Sequence, residues 1–279
     1  MKVKVLEKKD DYLRLLLSET DPSYVNALRR VLIADVPKMA IEDVEFHLGP
    51  IRSEDGKEYE SVSPLFDEII AHRLGLVPIP TDLGLYNLRE DCPSCHGEGC
   101  PSCTIIYSIN KRGPGLVTSA DLEPIGDPKL RPKDQAIPIV QLIDEQAILI
   151  YATAQLGTGK DHAKWQATHG VGHQYVPLLK AGSKSLDALD PEVPFCTSHM
   201  ITTSLEEEAV ELPSDCKVCE KFKDAYKVDS IKVSNDPTRF VLQFETDGSM
   251  SAKDALLKAL DLLGQRFADV STQADGLKG

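Results

Sequence analysis

The sequence lacks the marks of an enzyme active site. No nucleophile elbow, paired-carboxylate motif or dinucleotide fingerprint occurs among its 279 residues. The nearest approach to a phosphate-binding loop is Gly157-Thr158-Gly159-Lys160. It has Ala154 where the first glycine belongs and Asp161 where a hydroxyl residue should follow the lysine. Positive charge is also scarce. The formal net charge is −13, and lysine and arginine are scattered rather than run together. Phosphate binding needs a concentrated basic surface, so the charge argues against this chain alone gripping nucleic acid and points to any link with DNA or RNA passing through partners. Long hydrophobic runs are missing too. The longest, near residues 147–154, falls far short of the roughly 20 residues that span a bilayer. Residues 1–6, Met-Lys-Val-Lys-Val-Leu, have no apolar leader core. These absences predict a cytoplasmic protein with no membrane partner.

The composition that remains is ordinary for a soluble globular chain, at 42% apolar and 27% charged. The length suffices for one large domain or two to three small ones. Seven cysteines is an odd number. It suits a disulfide framework poorly, and in a cytosolic chain it points to metal.

Hydrophobic periodicity places the elements. Residues 2–17 read as two strands around the polar turn Lys8-Lys9-Asp10-Asp11. A helix follows from Ser23, read as its N-cap, to the stop at Pro37. Tyr24, Leu28, Val31, Leu32 and Asp35 share one side of it, and Asn26, Arg29, Arg30 and Ile33 another. A strand is expected near 40–48 and a second helix after Pro64, with Leu65, Ile69, His72 and Leu76 along one face and Phe66, Ile70 and Arg73 beside it. Strands are then predicted at 107–110, 116–119, 137–143 and 146–156. The stretch 157–166 reads as a polar loop, and His162, His169 and His173, with Gly170 and Gly172 among them, read the same way. From 177 to 214 the pattern weakens. Strands at 230–234 and 240–245 flank the turn Asn235-Asp236-Pro237. A last helix opens near Ser251 with Asp254 completing a capping box. Its apolar face carries Ala252, Ala255, Leu256, Ala259, Leu260, Leu263 and Phe267, and the chain is expected to fray from Ser271. So wide a face suits an oligomeric interface or a deep intrachain core.

Cys92, Cys95, Cys100 and Cys103 form a C-x2-C-x4-C-x2-C array. Two Cys-x-x-Cys turns supply four thiolates to one tetrahedral ion, and such a closed site is structural. Gly97 and Gly99 let the backbone reverse in so short a loop. Zinc is favoured, although four thiolates suit an iron–sulfur cluster as well.

Two phrases organise the rest. Asn26-Ala27-Leu28-Arg29-Arg30-Val31-Leu32 with Val36-Pro37, then His72-Arg73-Leu74-Gly75-Leu76-Val77-Pro78, resemble the alpha-like subunits of DNA-directed RNA polymerase. That family comprises the bacterial alpha N-terminal domain, its archaeal D-type counterpart and the third-largest eukaryotic polymerase II subunit. The block Phe244-Glu245-Thr246-Asp247-Gly248-Ser249 with its helix carries the same resemblance. Trp165 in His-Ala-Lys-Trp-Gln is similar to archaeal and eukaryotic members.

The resemblance implies an α+β fold. A discontinuous dimerisation domain (1–44 and 228–279) would hold an inserted mostly-β domain with the zinc loop (45–172) and a small degenerate ferredoxin-like insertion (173–227). It implies a non-catalytic assembly subunit that forms a heterodimer with a smaller L-like partner and recruits the large polymerase subunits and other small ones. Tyr24, Leu28, Val31, Leu32, Leu256, Leu260, Leu263 and Phe267 would meet the dimer partner. Asn26, Arg29, Arg30, His72 and Arg73 would face the large subunits. In the insertion, Cys196, Cys216 and Cys219 match three of four ligands of an iron–sulfur cluster, with Phe222 where the fourth would fall. Three thiolates leave either a three-iron cluster or an insertion that has lost one. The alternative outside transcription is a free-standing zinc or iron–sulfur redox or adaptor protein.

Overall fold

The computed structural model describes residues 1–52, 56–181, 184–185, 196, 209–211, 215–228 and 230–276. The acidic run at 206–208, and with it much of the weakly patterned stretch, lies outside the described residues. Alternating lysine and valine make strand β1 (Lys2–Lys8), exposed throughout, and the next alternation makes β2 (Tyr12–Ser18), which buries Leu13, Leu15 and Leu17.

Helix α1 (Pro22–Ala34) follows. Its cap is Asp21, not Ser23. Asp21 Oδ1 accepts from the N–H groups of Ser23 and Tyr24 at 2.9 and 3.1 Å, which places Pro22 in the first turn, where its missing N–H costs nothing. Beyond α1 the chain reverses into β3 (Lys38–Phe46), a short hairpin of β4 (Ile51–Arg52) and β5 (Glu58–Tyr59), and helix α2 (Asp67–Gly75). Then come β6 (Thr104–Arg112), β7 (Gly115–Thr118), β8 (Glu123–Pro124), β9 (Pro138–Leu142) and β10 (Ala147–Gly157). The last part holds β11 (Thr168–Ala181), β12 (Lys184–Ser185), β13 (Ala209–Glu211), helix α3 (Lys217–Tyr226), β14 (Ser230–Thr246) and helix α4 (Ala252–Gly276). No helix among the described residues is long and apolar enough to cross a membrane.

The architecture is α+β. One sheet runs β1-β2-β14-β11-β12 with β13 on β14, and another β3-β10-β6-β8, while β4–β5 and β7–β9 pair separately. By internal contacts the chain divides into two compact units. One comprises Met1–Leu6, Arg14–Asn26 and His173–Leu242; the other comprises Glu7–Leu13, Ala27–Gly172 and Gln243–Gly279. The second holds a core built from Met39, Ile41, Ile70, Leu74, Tyr107, Ile109, Ile139 and Ile150, among others. Tyr107 is fully buried. Burial pushes its phenol pKa up, and its hydroxyl donates to Leu130 O at 2.8 Å.

Several expectations are revised. The core-facing residues of α2 are Ile70 and Leu74, while Ile69, His72 and Leu76 are exposed. His169 and His173 lie within strand β11, not a loop. Residues 230–246 form one strand, and the predicted turn survives only as a local Asx turn, with Asp236 Oδ1 accepting from Thr238 N at 2.9 Å. At the other end, α4 stays helical through Gly276 instead of fraying at Ser271. Ser251 caps it as expected: Asp254 N–H donates to Ser251 Oγ at 3.1 Å, and Asp254 Oδ2 accepts from that hydroxyl at 2.6 Å in place of the reciprocal backbone bond.

The Gly-Thr-Gly-Lys stretch has a packing role. Trp165 is buried, its Nε1 donates to Gln155 O at 3.1 Å, and a Cβ on Gly157 would stand 2.4 Å from its ring. A Cβ on Gly159 would stand 2.5 Å from the Ile33 carbonyl oxygen. Both glycines are therefore places where ring or backbone approaches closely. Gly157→Ala should overpack this contact and lower stability by roughly 1–3 kcal/mol. Trp165 is the chain's single tryptophan, so its fluorescence in a denaturant titration reads the lowered midpoint directly.

Candidate metal centres and assembly surfaces

The four sulfurs of Cys92, Cys95, Cys100 and Cys103 lie within 4.8 Å of one another, and all four cysteines are free. Cys92 to Cys100 and Cys95 to Cys103 each measure 3.6 Å, and Cys100 to Cys103 measures 3.9 Å, sulfur to sulfur. A disulfide needs about 2.05 Å. A tetrahedron with Zn–S bonds of about 2.3 Å has edges of about 3.8 Å. The donor set fits a four-thiolate ion and fits no disulfide.

The loop around the sulfurs is short and tightly turned. His96, Gly97 and Gly99 all take positive φ, at 51, 97 and 101°, so two of three left-handed positions carry the residue that tolerates them. Backbone N–H groups point at sulfur: Gly99 N donates to Cys95 Sγ and Cys100 N to Cys103 Sγ, both at 3.3 Å. Burial raises the Cys95 thiol, but the N–H groups of Gly99 and Gly97 outweigh it and bring the thiol down to about 6. Burial dominates at Cys103 and pushes it up to about 12.

A residue that sequence reasoning missed holds this loop down. Arg89 Nε donates to Gly97 O at 2.9 Å, one Nη to Glu98 O at 3.1 Å, and the other to Gln155 Oε1 on β10 at 3.1 Å. Its only sequence signal is a lone cation three residues ahead of a cysteine array.

Cys196, Cys216 and Cys219 also gather, with all three sulfurs within 4.8 Å. Cys216 caps α3, and the N–H groups of Cys219 and Val218 lower its thiol pKa. Cys219 is fully buried, and burial pushes it up to about 12. Phe222 brings no ligand atom. It is buried, and its ring stacks on Tyr226 at 4.8 Å between centroids.

The predicted interface residues divide by exposure. On α1, Leu28, Val31 and Leu32 are buried within the chain itself; Tyr24, Asn26 and Arg29 are half-buried and Arg30 is exposed. On α2, His72 and Arg73 are exposed, and an Arg73 Nη donates to Ile139 O at 2.6 Å. On α4, Leu263 is buried, Leu256 and Leu260 are half-buried, and Phe267 is 60% exposed.

Comparison with known proteins places this arrangement. Residues 14–267 match the RNA polymerase Rpb3/Rpb11 dimerisation domain family. The DNA-directed RNA polymerase subunit Rpo3 of Thermoplasma volcanium is 44% identical over 267 residues, covering 96% of this chain and 97% of that one. Its counterpart from Picrophilus torridus is 43% identical over 263 residues, covering 94% and 96%. The DNA-directed RNA polymerase II subunit rpb3 of Dictyostelium discoideum is 30% identical over 302 residues, covering 99% and 95%. The chain belongs to this family of alpha-like RNA polymerase subunits, the line of archaeal Rpo3 and eukaryotic Rpb3. Nothing in these relationships supports the free-standing redox reading.

The two thiol environments give a direct check on the first site. In metal-free, reduced chain near neutral pH, Cys95 is mostly thiolate and should be alkylated by iodoacetamide first. Cys103, buried and held protonated, should react last. Peptide mass spectrometry against time reads the order.

Proposed function

We propose that the chain is a non-catalytic assembly subunit of DNA-directed RNA polymerase, acting in the cytoplasm. It pairs with a smaller L-like partner and presents that pair to the large catalytic subunits and other small assembly subunits. In this reading residues 1–44 and 228–279 form the dimerisation domain, and 45–172 and 173–227 are inserted into it. Neither membrane nor nucleic acid is a direct partner, in keeping with the net charge of −13.

The observation that carries the reading is the distal half of α4. Every residue from 264 to 276 is exposed, yet Phe267 and Val270 stand there at 60 and 64% exposure. Phe267 and Val270, three positions apart, lie on one side of this helix end, about 20 Å long at ~1.5 Å per residue, and a partner's apolar surface would cover them. The family match, described by its dimerisation domain, supports a partner of the same kind. Leu28, Val31 and Leu32, at 0–3% exposure, have little area left to give to a partner. Tyr24 on α1 and Leu256, Leu260 and Leu263 on α4 are assigned to the same partner.

Arg30, exposed on α1, and His72 with Arg73 on α2 are assigned to the large subunits. Asn26 and Arg29 lie alongside on α1. The two surfaces separate experimentally. Arg30→Ala should lower recovery of the large subunits with this chain about tenfold, a loss of ~1.4 kcal/mol, while the pair with the L-like partner persists. Phe267→Asp should do the reverse and break the pair first. Reconstitution followed by size-exclusion chromatography distinguishes them, and equal behaviour of both variants would sink the assignment.

We assign one structural zinc to Cys92, Cys95, Cys100 and Cys103. The ion would tie down a loop with few apolar side chains of its own. An iron–sulfur cluster at Cys196, Cys216 and Cys219 would have three protein thiolates, with Phe222 in place of a fourth. Purified chain is therefore expected to be colourless with one zinc per molecule by elemental analysis. Brown protein containing iron would overturn that assignment.

A further inference from the structure

The sheet β3-β10-β6-β8 buries one face in the core; its opposite face is covered by Trp165 at the Gly157 end and is open at the other. Ile41, Ile105, Tyr107, Ile109, Ile150, Ala152 and Ala154 turn into the core. The opposite face follows from register. Asp43 pairs with Thr153 and Thr153 with Ile106, while Glu45 pairs with Tyr151 and Tyr151 with Ser108. Two rows of side chains therefore cross the open face, each with a carboxylate at the β3 edge. An open antiparallel face ordinarily alternates polar residues outward. Here Ile106 and Tyr151 stand near its centre, each 45% exposed.

This face is not flat. The cysteine loop rises beside it and forms a wall, leaving a groove of about 450 Å³ lined by Asp43, Glu45, Glu98, Thr104, Ile106 and Thr153, with Arg89 and Gly99 at the wall. The charge in the groove is one-sided. Asp43, Glu45 and Glu98 are exposed at its rim. Arg89, the cation among these lining residues, is engaged by the carbonyls of Gly97 and Glu98 and by Gln155, with Asp43 3.9 Å away. Ile106, set between Thr104 and Thr153 and rimmed by carboxylates, suits an extended chain that places one hydrophobic residue beside lysine or arginine. It repels phosphate.

We propose that this groove docks an extended, lysine- or arginine-bearing segment of another polymerase subunit, in addition to the pairing and large-subunit surfaces assigned above. The inference rests on the assembly reading. The cysteine loop supplies a wall of the groove, so loop order and docking are coupled.

The test places p-benzoylphenylalanine at Ile106, and separately at Thr153, both lining the groove, in chain reconstituted into purified polymerase. Irradiation should crosslink both positions to one segment of a second subunit, and mass spectrometry should find at least two basic residues within that segment. Asp43→Lys with Glu45→Lys should cut the crosslink yield about tenfold. As a control independent of the variant's folding, raising salt should lower the yield in the unreversed chain while the polymerase stays assembled. Assembled polymerase with no crosslink from either position overturns the proposal and leaves the assembly reading standing. So does a crosslinked segment without basic residues, or a yield indifferent to both charge reversal and salt. Failure of the unmodified chain to enter polymerase at all overturns both.

Discussion

The last turn of α1 has to find donors for its carbonyl groups, and much of the second compact unit is arranged to supply them. A helix ended by proline leaves carbonyls that no residue of its own can satisfy. Leu32 O accepts from Thr168 Oγ1 at 2.7 Å, and Ala34 O accepts from Lys160 N at 2.9 Å. Asp35, just beyond, is gripped by both Nη atoms of Arg266 at 2.9 and 2.8 Å. Two segments far apart in sequence, residues 160–168 and Arg266 of α4, therefore converge on one helix end. The close approach at Gly159 and the Trp165 packing at Gly157 are the steric conditions for that convergence. A stretch that superficially resembles a nucleotide loop is a connection shaped to close a helix.

Legibility from sequence tracked how local each cause is. The cysteine array was readable because four ligands within a dozen residues carry their geometry in their spacing. The Ser251 cap was readable for the same reason. The face of α2 was not. Over nine residues with apolar side chains at many positions, periodicity fits two phases, and only the core decides that Ile70 and Leu74 turn inward. Strand β11 was invisible because Gly170, Gly172 and two histidines have weak strand propensity, so its pairing partners impose the conformation. The Asp21 cap was missed by two positions because Asp and Ser are equally good candidates on paper.

The same contrast separates the assembly surfaces. The sequence pattern of α1 and α4 marks apolar faces but cannot divide a face between its own core and a partner. Exposure makes the division: Leu28, Val31 and Leu32 go inward, and Phe267 and Val270 stay out. The metal loop is comparable. Spacing placed the sulfurs, whereas Arg89, which fastens the loop to β10 through Gln155, acts by position alone.

The Lys38–Asp247 pair bears on how the chain is made. It is buried on the lysine side, joins residues 209 positions apart, and is accompanied by the Asp35–Arg266 pair across 231 positions. On a ribosome emitting about 5–20 residues each second, α1 waits many seconds for these partners, whereas the cysteine loop can close as soon as Cys103 emerges. Chain length therefore lets the cysteine loop close early, while the unit that joins α1 to α4 closes last. Until the final strand and helix leave the ribosome, Asp35 and Lys38 lack the partners that hold them, so a pairing surface placed there would mature only once the whole chain exists.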